Sequence, residues 1–417
     1  MQAGASCEIP RGMLKYLVMQ ILKKGLALLA ALFMVLALAG CETYDNFKKA
    51  FIDEAPEQLI TIGVFEPLSG SDAEAASGEV RGIKLAHELF PSVNGVNVEL
   101  LYEDNQSDAE LAAAAAQKLV ESDPAIILGS YNSVLSLAGG DIFEEAHIPA
   151  IAATNINPLV TQTNDYYFRV CSVEAYQGVS AADYMFQSMG RGRVVAFKME
   201  GDDSAATMID QFEARMLELT GFDDSVIIVE YPENGEDYDA YVQILASAGR
   251  STVFFPSKAA VAAKMIQSAY DQGYKLDWVG PSRWAGLAEE LEVTDCLDGV
   301  AYVTDYDPEA ELSSMTDTFK AAWAEKYGED DLPTKEAALG FDSYLLALQA
   351  IRVSGGELKG PMLRKYLTQV SNMPGATGML TMNAAGDPTT DVVIAQYSGG
   401  SASAIYTINS VEETIGD

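Results

Sequence analysis

Two short polar stretches have the residue types and spacing to hold a small anion. In the first, the apolar run Ala125-Ile126-Ile127-Leu128 stops at Gly129, the turn Ser130-Tyr131-Asn132-Ser133 follows, and an alanine- and leucine-rich segment begins on helical spacing. That order predicts strand, loop and helix. In the second, the apolar run Ile148 to Ala153 ends in Thr154-Asn155-Ile156-Asn157-Pro158. Two parallel strands would then deliver small-residue loops at their carboxyl ends, where open α/β sheets bind ligands. A helix starting near Ser133 aims unpaired N–H groups and a positive dipole end at that crevice, which suits a carboxylate. The competing reading of the same residues is an ordinary βαβ unit in which Ser133 only caps its helix.

Other chemistries lack their residues. The chain has two histidines, His87 in a helical stretch and His147 just before a strand, and four cysteines, Cys7, Cys41, Cys171 and Cys296, with no CxxC and no Cys/His cluster. Hydrolytic or metal catalysis needs a nucleophile with a base, or a ligand cluster, and neither is visible. Ser69 in Pro67-Leu68-Ser69-Gly70 is not the G-x-S-x-G elbow of hydrolases. The acidic loops Glu200 to Asp203 and Glu233 to Asp239 lack the spacing and closing glutamate of an EF-hand. No enzyme, cofactor or metal is expected. Lys plus Arg is 26 against 61 Asp plus Glu, a formal charge of −35, so the chain lacks the basic footprint a nucleic-acid partner requires.

The 417 residues, 49% of them hydrophobic, suffice for two or three domains with real cores. The amino terminus reads as a targeting segment: Lys15, Lys23 and Lys24 precede the apolar run Leu26 to Leu38, which small residues close at Ala39-Gly40-Cys41. That run is short of the ~20 apolar residues of a membrane span. Leu38-Ala39-Gly40-Cys41 resembles a bacterial lipobox, which implies that residues 1–40 are removed and that Cys41 carries lipid; an uncleaved anchor helix is the alternative. Met13 is an alternative start, since Met1 to Arg11 lies ahead of any pattern the signal needs. Residues 41–58 are polar and charged and read as a tether.

From Leu59 the pattern alternates. Strands are expected at Leu59 to Phe65, Val96 to Leu100, Ile126 to Leu128 and Ile148 to Ala153, with helices between them, the pattern of a parallel sheet with right-handed crossovers. After a break at Tyr166 to Cys171 the alternation restarts, with strands at Val194 to Phe197, Val226 to Glu230, Val253 to Phe255 and Trp278 to Gly280. Helices then dominate at Met315 to Tyr327, Lys335 to Ser354 and Pro361 to Val370. The end is β-rich, at Met379 to Met382, Val392 to Tyr397 and Ala404 to Ile408. This tail is too small for a separate domain, so the chain must cross between two α/β units several times.

From Leu59 onward the chain resembles the leucine/isoleucine/valine-binding type of periplasmic solute receptors, which serve ABC importers. The residues that carry the resemblance are Gly63, Glu66 to Gly70, Gly78 with Gly82, Asp104 with Ser107-Asp108, Gly129 with Ser133, Ile148-Pro149 and Asn157-Pro158. Tyr167-Phe168-Arg169, Gln177-Gly178, Gly280 and Gly386-Asp387 complete them. The resemblance implies an α/β fold of two doubly wound parallel-sheet lobes joined by a three-strand hinge. It places lobe one at 59–171 plus 303–386 and lobe two at 172–302 plus 387–417. The hinge crossings fall near Val170 to Glu174, Val300 to Tyr306 and Gly386 to Val392.

It further implies that Ser133 and its amide hold the α-carboxylate of an amino acid, that the Thr154 and Asn155 turn offers backbone groups, and that Glu174 is the acid beside the hinge. The departures lie elsewhere. The usual second threonine falls on Ile156, an aromatic of lobe two falls on Ser204 and another on Lys258, and the acid that pairs with the ligand ammonium falls on Ser282, beside Arg283. Lobe one thus keeps the pattern and lobe two departs from it. Cys171 and Cys296 flank two crossings, but two buried free thiols are the reading adopted, since a disulfide needs Cα atoms within ~7 Å.

The expectation is an extracytoplasmic, lipid-anchored, monomeric receptor that captures a small amino-acid-like solute and presents it to an ABC permease. A sensory module of the same fold, or a receptor for a dicarboxylate or amide-like solute, is the alternative; an acid facing the cleft decides between the ligands, because a buried ammonium without a counter-charge costs several kcal/mol.

Overall fold

The computed structural model describes residues 59–232 and 237–409. The expected signal peptide, Cys41 and the tether lie outside these residues.

Ile60, Ile62, Val64 and Phe65 are buried on both faces of one strand, the mark of a central position in a parallel sheet. That strand is β1 (Leu59–Glu66), followed by α1 (Ala73–Leu89), β2 (Ser92–Val93), β3 (Val96–Asp104), α2 (Ala109–Glu121), β4 (Ile126–Gly129), α3 (Ser133–Glu145), β5 (Ala150–Ala152), the single turn α4 (Leu159–Gln162) and β6 (Tyr167–Arg169). They form one six-stranded sheet in the order β2-β3-β1-β4-β5-β6. All its neighbours are parallel except the short β2. Phe65 and Phe143 meet edge to face at 5.3 Å in its core.

A second run gives α5 (Glu174–Asp183), which continues as a π turn over Tyr184–Ser188, then β7 (Val194–Met199), α6 (Asp203–Thr220), β8 (Val226–Tyr231), α7 (Tyr238–Ser247), β9 (Thr252–Phe254), α8 (Ala259–Asp271), β10 (Asp277–Gly280), two 3-10 stretches and β11 (Ala301–Thr304). The chain then forms α9 (Ser314–Tyr327), α10 (Lys335–Val353), α11 (Gly360–Leu367), β12 (Met373–Gly375), β13 (Gly378–Met382) and β14 (Pro388–Thr390). It ends with β15 (Val392–Ser398) and β16 (Ser401–Ile408).

The second sheet has seven strands in the order β16-β15-β11-β10-β9-β7-β8, and β12-β13-β14 form a small antiparallel sheet. The fold is α/β, and each large sheet has a parallel body. In the second, the β-rich tail is added at the edge, where β15 and β16 form an antiparallel hairpin. Phe212 stacks on Phe254 at 4.5 Å on one face, while Phe255, Trp278 and Trp284 fill the other.

The returning segment after β11 packs on the first sheet through α10, which lies along α1. Glycines make that approach possible: a Cβ on Gly82 would sit 1.9 Å from the Ala337 carbonyl oxygen, and one on Gly340 would sit 2.2 Å from that of Glu79. The chain therefore passes between the sheets after β6, after β11 and after β14. The first two crossings are tied together, Ser172 donating its N–H to Asp305 Oδ1 at 2.8 Å. Cys171 and Cys296 are buried free thiols.

Candidate functional site

Strand order reverses between β1 and β4 in the first sheet and between β7 and β9 in the second. At such switch points neighbouring loops diverge and leave a crevice at the strands' carboxyl ends. The residues there are Glu66 to Gly70, Gly129 to Ser133 and Thr154 to Pro158 in the first sheet. In the second they are Glu200 to Ser204, Phe255 to Lys258 and, next door, Pro281 to Trp284.

On the first side, Ser133 is the first residue of α3 and its cap is Asn132, whose side chain accepts from the Val134 N–H at 2.9 Å. The reading of Ser133 as the cap is therefore corrected; its hydroxyl is not spent on its own helix. The turn is braced from below. Asn155 Nδ2 donates to the carbonyls of Ser130 and Tyr131 at 2.6 and 3.1 Å, and Thr154 Oγ1 lies 2.9 Å from that of Tyr131. The side-chain donors of Thr154 and Asn155 are thus committed to the protein, which leaves the backbone of their turn as what it can offer a solute.

The motif residues Tyr167-Arg169 and Asp387 hold that turn. Arg169 is wholly buried, donates to the carbonyls of Asn155 and Asn157 at 2.6 and 3.0 Å, and pairs with Asp387 at 2.7 Å. A buried guanidinium is tolerated only when its donors are matched in this way. Tyr167 donates its hydroxyl to the Gly129 carbonyl at 2.6 Å.

On the second side, Glu174 opens α5, Ser204 lies in the first turn of α6, and Arg283 lies in the 3-10 stretch Ser282–Glu290. The Ser204 hydroxyl is 2.5 Å from Glu174 Oε1 and receives Arg283 Nη2 at 2.7 Å; the two charged groups are 3.7 Å apart. Ser282 joins them through its backbone N–H, which donates to Gln177 Oε1 one turn along from Glu174. Lys258 stands exposed ahead of α8, outside this cluster. Gln177 Nε2 and Arg283 Nε are buried donors with no partner among the described residues.

Sequence reasoning missed a pair of buried acids. Glu66, at the end of β1, and Glu79, on the inner face of α1, are both wholly buried and hydrogen-bonded to each other. Glu66 Oε2 accepts from the Tyr131 N–H at 2.9 Å, and Glu79 Oε2 lies 3.0 Å from Thr154 Oγ1. Burial, then the charge of Glu79, holds Glu66 well above the usual carboxylate range; burial raises Glu79 to about 7. A signal existed. Glu79 shares the stripe Ala76, Val80, Ile83 and Ala86, and Glu66 ends a mainly apolar strand. Among the described residues no group of three or more His, Cys, Asp or Glu could hold a metal ion, and no helix is long and apolar enough to cross a membrane.

A family model described as periplasmic binding protein matches residues 59–402. An amino acid binding protein of Pseudomonas aeruginosa is 28% identical over 220 residues, covering 51% of this chain and 58% of that protein. A Leu/Ile/Val-binding protein homolog 2 of Brucella abortus is 27% identical over 225 residues, covering 53% of this chain and 60% of that one. The chain thus spans less than two thirds of the length of these curated relatives. Among solved structures, the leucine binding protein LivK of Thermotoga maritima superposes with a TM-score of 0.68 at 26% identity, over 85% of this chain and 99% of that one.

Proposed function

We propose a function for this chain, which belongs to the periplasmic binding protein family: it is an extracytoplasmic receptor that closes two lobes around a small amino-acid-like solute and hands it to the permease of an ABC importer. In this reading the lobes are 59–171 with 303–386 and 172–302 with 387–417, a division that the membership of the strands in two large sheets supports. The solute carboxylate is received at the first turn of α3, where Ser133 and the unpaired amides lie. Its ammonium is received by Glu174. In this reading Cys41 carries the lipid that holds the receptor, as a monomer, to the membrane.

The observation that supports the ligand class is the way Glu174 is held. Its contacts with Ser204 and Arg283 are both to Oε1, which leaves Oε2 an acceptor for an ammonium. A second reading has its own support. The buried donors Gln177 Nε2 and Arg283 Nε favour a solute whose far end carries oxygens, a dicarboxylate or an amide.

A thermal-shift panel of amino acids, dicarboxylates and amides tests the two. A solute at a hundred times its Kd stabilises the fold by about 2.7 kcal/mol. Amino acids are expected to raise Tm; a rise with dicarboxylates or amides and with no amino acid would overturn the first reading. The anchor has a separate test: Cys41→Ser should leave an unlipidated precursor, and recovery of the wild-type protein without lipid would refute it.

A further inference from the structure

The oxygens around Glu66 and Glu79 outnumber the hydrogens available to them. Both Oε1 atoms are buried with no hydrogen-bond partner among the described residues, the two carboxyls interact, and the one backbone donor that reaches Glu79 is the Ala153 N–H. Thr154 Oγ1 has one hydrogen and lies within bonding distance of both Glu79 Oε2 and the Tyr131 carbonyl, which can only accept. Were both acids ionised, at least one oxygen–oxygen contact would have no hydrogen in it. A proton on the pair supplies the missing donor, as it does wherever two carboxyls share a site.

The position of the pair gives that proton a role. Glu66 Oε2 holds the Tyr131 N–H and Glu79 Oε2 holds the Thr154 side chain, so one carboxyl pair fastens both small-residue turns of the first sheet. Its surroundings oppose a second negative charge. The titratable groups that face it are Glu336 at the start of α10, Tyr131 after β4, Tyr167 on β6 and Cys171 just after it; Asp104 lies opposite Glu66 on β3, Asp72 acts on Tyr131, Asp305 and Lys335 act on Cys171, and Arg169 lies beyond Asn155. Acids outnumber cations in that set.

We infer that Glu66 and Glu79 share one proton and act as positioning residues: the protonated pair locks the Tyr131 and Thr154 turns in the geometry that receives the solute's anionic end, and loss of the proton loosens both. The solute part of this statement rests on the function proposed above. The proton and the locking do not, and they are tested without any solute.

The test uses the full chain at about pH 6 and about pH 8.5, on either side of the value of about 7 to which burial raises Glu79. Infrared spectroscopy should show a protonated-carboxyl C=O band at the lower pH that fades at the higher one and is missing from Glu79→Gln. In the same samples, amide exchange across residues 130–134, corrected for intrinsic rates, should lose at least about threefold in protection in the wild type as pH rises. In Glu79→Gln it should not change, because the amide supplies a permanent hydrogen. If Glu79→Gln fails to fold, Glu66→Gln replaces it, its amide oxygen still accepting from Tyr131; the wild-type band needs no variant. The absence of a pH-dependent band, or equal pH-dependence of loop protection in wild type and variant, overturns the inference. A receptor that passes this test and binds no amino acid would refute only the ligand reading.

Discussion

Glu174 and Arg283 do not bond directly: their charged groups stand 3.7 Å apart, and the Ser204 hydroxyl bridges them at 2.5 and 2.7 Å. Half-shielded by a hydroxyl, Glu174 keeps acceptor capacity that a bidentate arginine pair would have consumed. The first expectation follows. In Glu174→Gln, affinity for an amino acid should fall about tenfold to a hundredfold, the worth of a charge-assisted hydrogen bond of ~1.5–3 kcal/mol. Affinity for the same acid without its amine should barely move. Titration calorimetry of both on the variant decides; equal losses would remove the ammonium from Glu174.

Arg283→Gln separates the two readings of the second lobe. If the far end of the solute carries oxygens, the substitution should weaken dicarboxylate or amide binding by about tenfold or more, through loss of a charged donor. Aliphatic amino acids should lose less than about threefold in affinity by the same reasoning. The reverse order would place the solute's side chain away from Arg283.

Stability should fall as pH rises through neutrality. Burial raises Glu66, raises Glu79 to about 7 and raises Asp342 to about 6, so the folded chain holds protons that the unfolded chain releases. Their contribution is full below the ordinary carboxylate range of ~4 and is lost as pH climbs through the folded values. Asp104 runs the other way: partial burial would raise it, but bonds from Ser69, Gln106 and Leu68 win and lower it, so its contribution is lost only in acid. Tm should therefore be lower at about pH 8 than at about pH 5.5, and Glu79→Gln should flatten that slope. A Tm that rises across this window would contradict the assignment of buried protons.

Gly82→Ala tests the packing that seats Glu79. Its Cβ would meet the Ala337 carbonyl oxygen at 1.9 Å, and neither helix backbone can yield alone. A loss of about 1–3 kcal/mol or more is expected from such overpacking, read as a lower denaturant midpoint at unchanged slope. An unchanged midpoint would show that α1 and α10 separate freely.

Most of the architecture was legible because burial imposes period. Leu59 to Phe65 and Ala125 to Leu128 read as buried strands from their mainly apolar runs, and the Ala-rich face of α2 reads as a helix. The strands β12 and β14 were not legible, since three-residue segments such as Met373–Gly375 carry no measurable alternation. The site divides in the same way. Ser133 could be placed from the strand, turn and helix order alone. Ser204 and Arg283 lie 79 residues apart, and their contact exists only once β7 and β10 share a sheet. Glu66 and Glu79 escaped because each, taken alone, has the composition of a solvated surface; only the strand register and the stripe on α1 turn both inward. The motif Tyr167-Phe168-Arg169 was read as family signature, and the structure supplies its physics: Arg169 ties the Asn155 turn to Asp387.

In the proposed function one solute is held by its carboxylate at α3 and by its ammonium at Glu174. The most direct measurement is calorimetric titration of the wild-type protein with the amino acid that stabilises it most and, in parallel, with the same molecule lacking only the amine. The amino acid is expected to bind at least about tenfold tighter, the worth of one charge-assisted bond. Equal or tighter binding of the amine-free acid would contradict it.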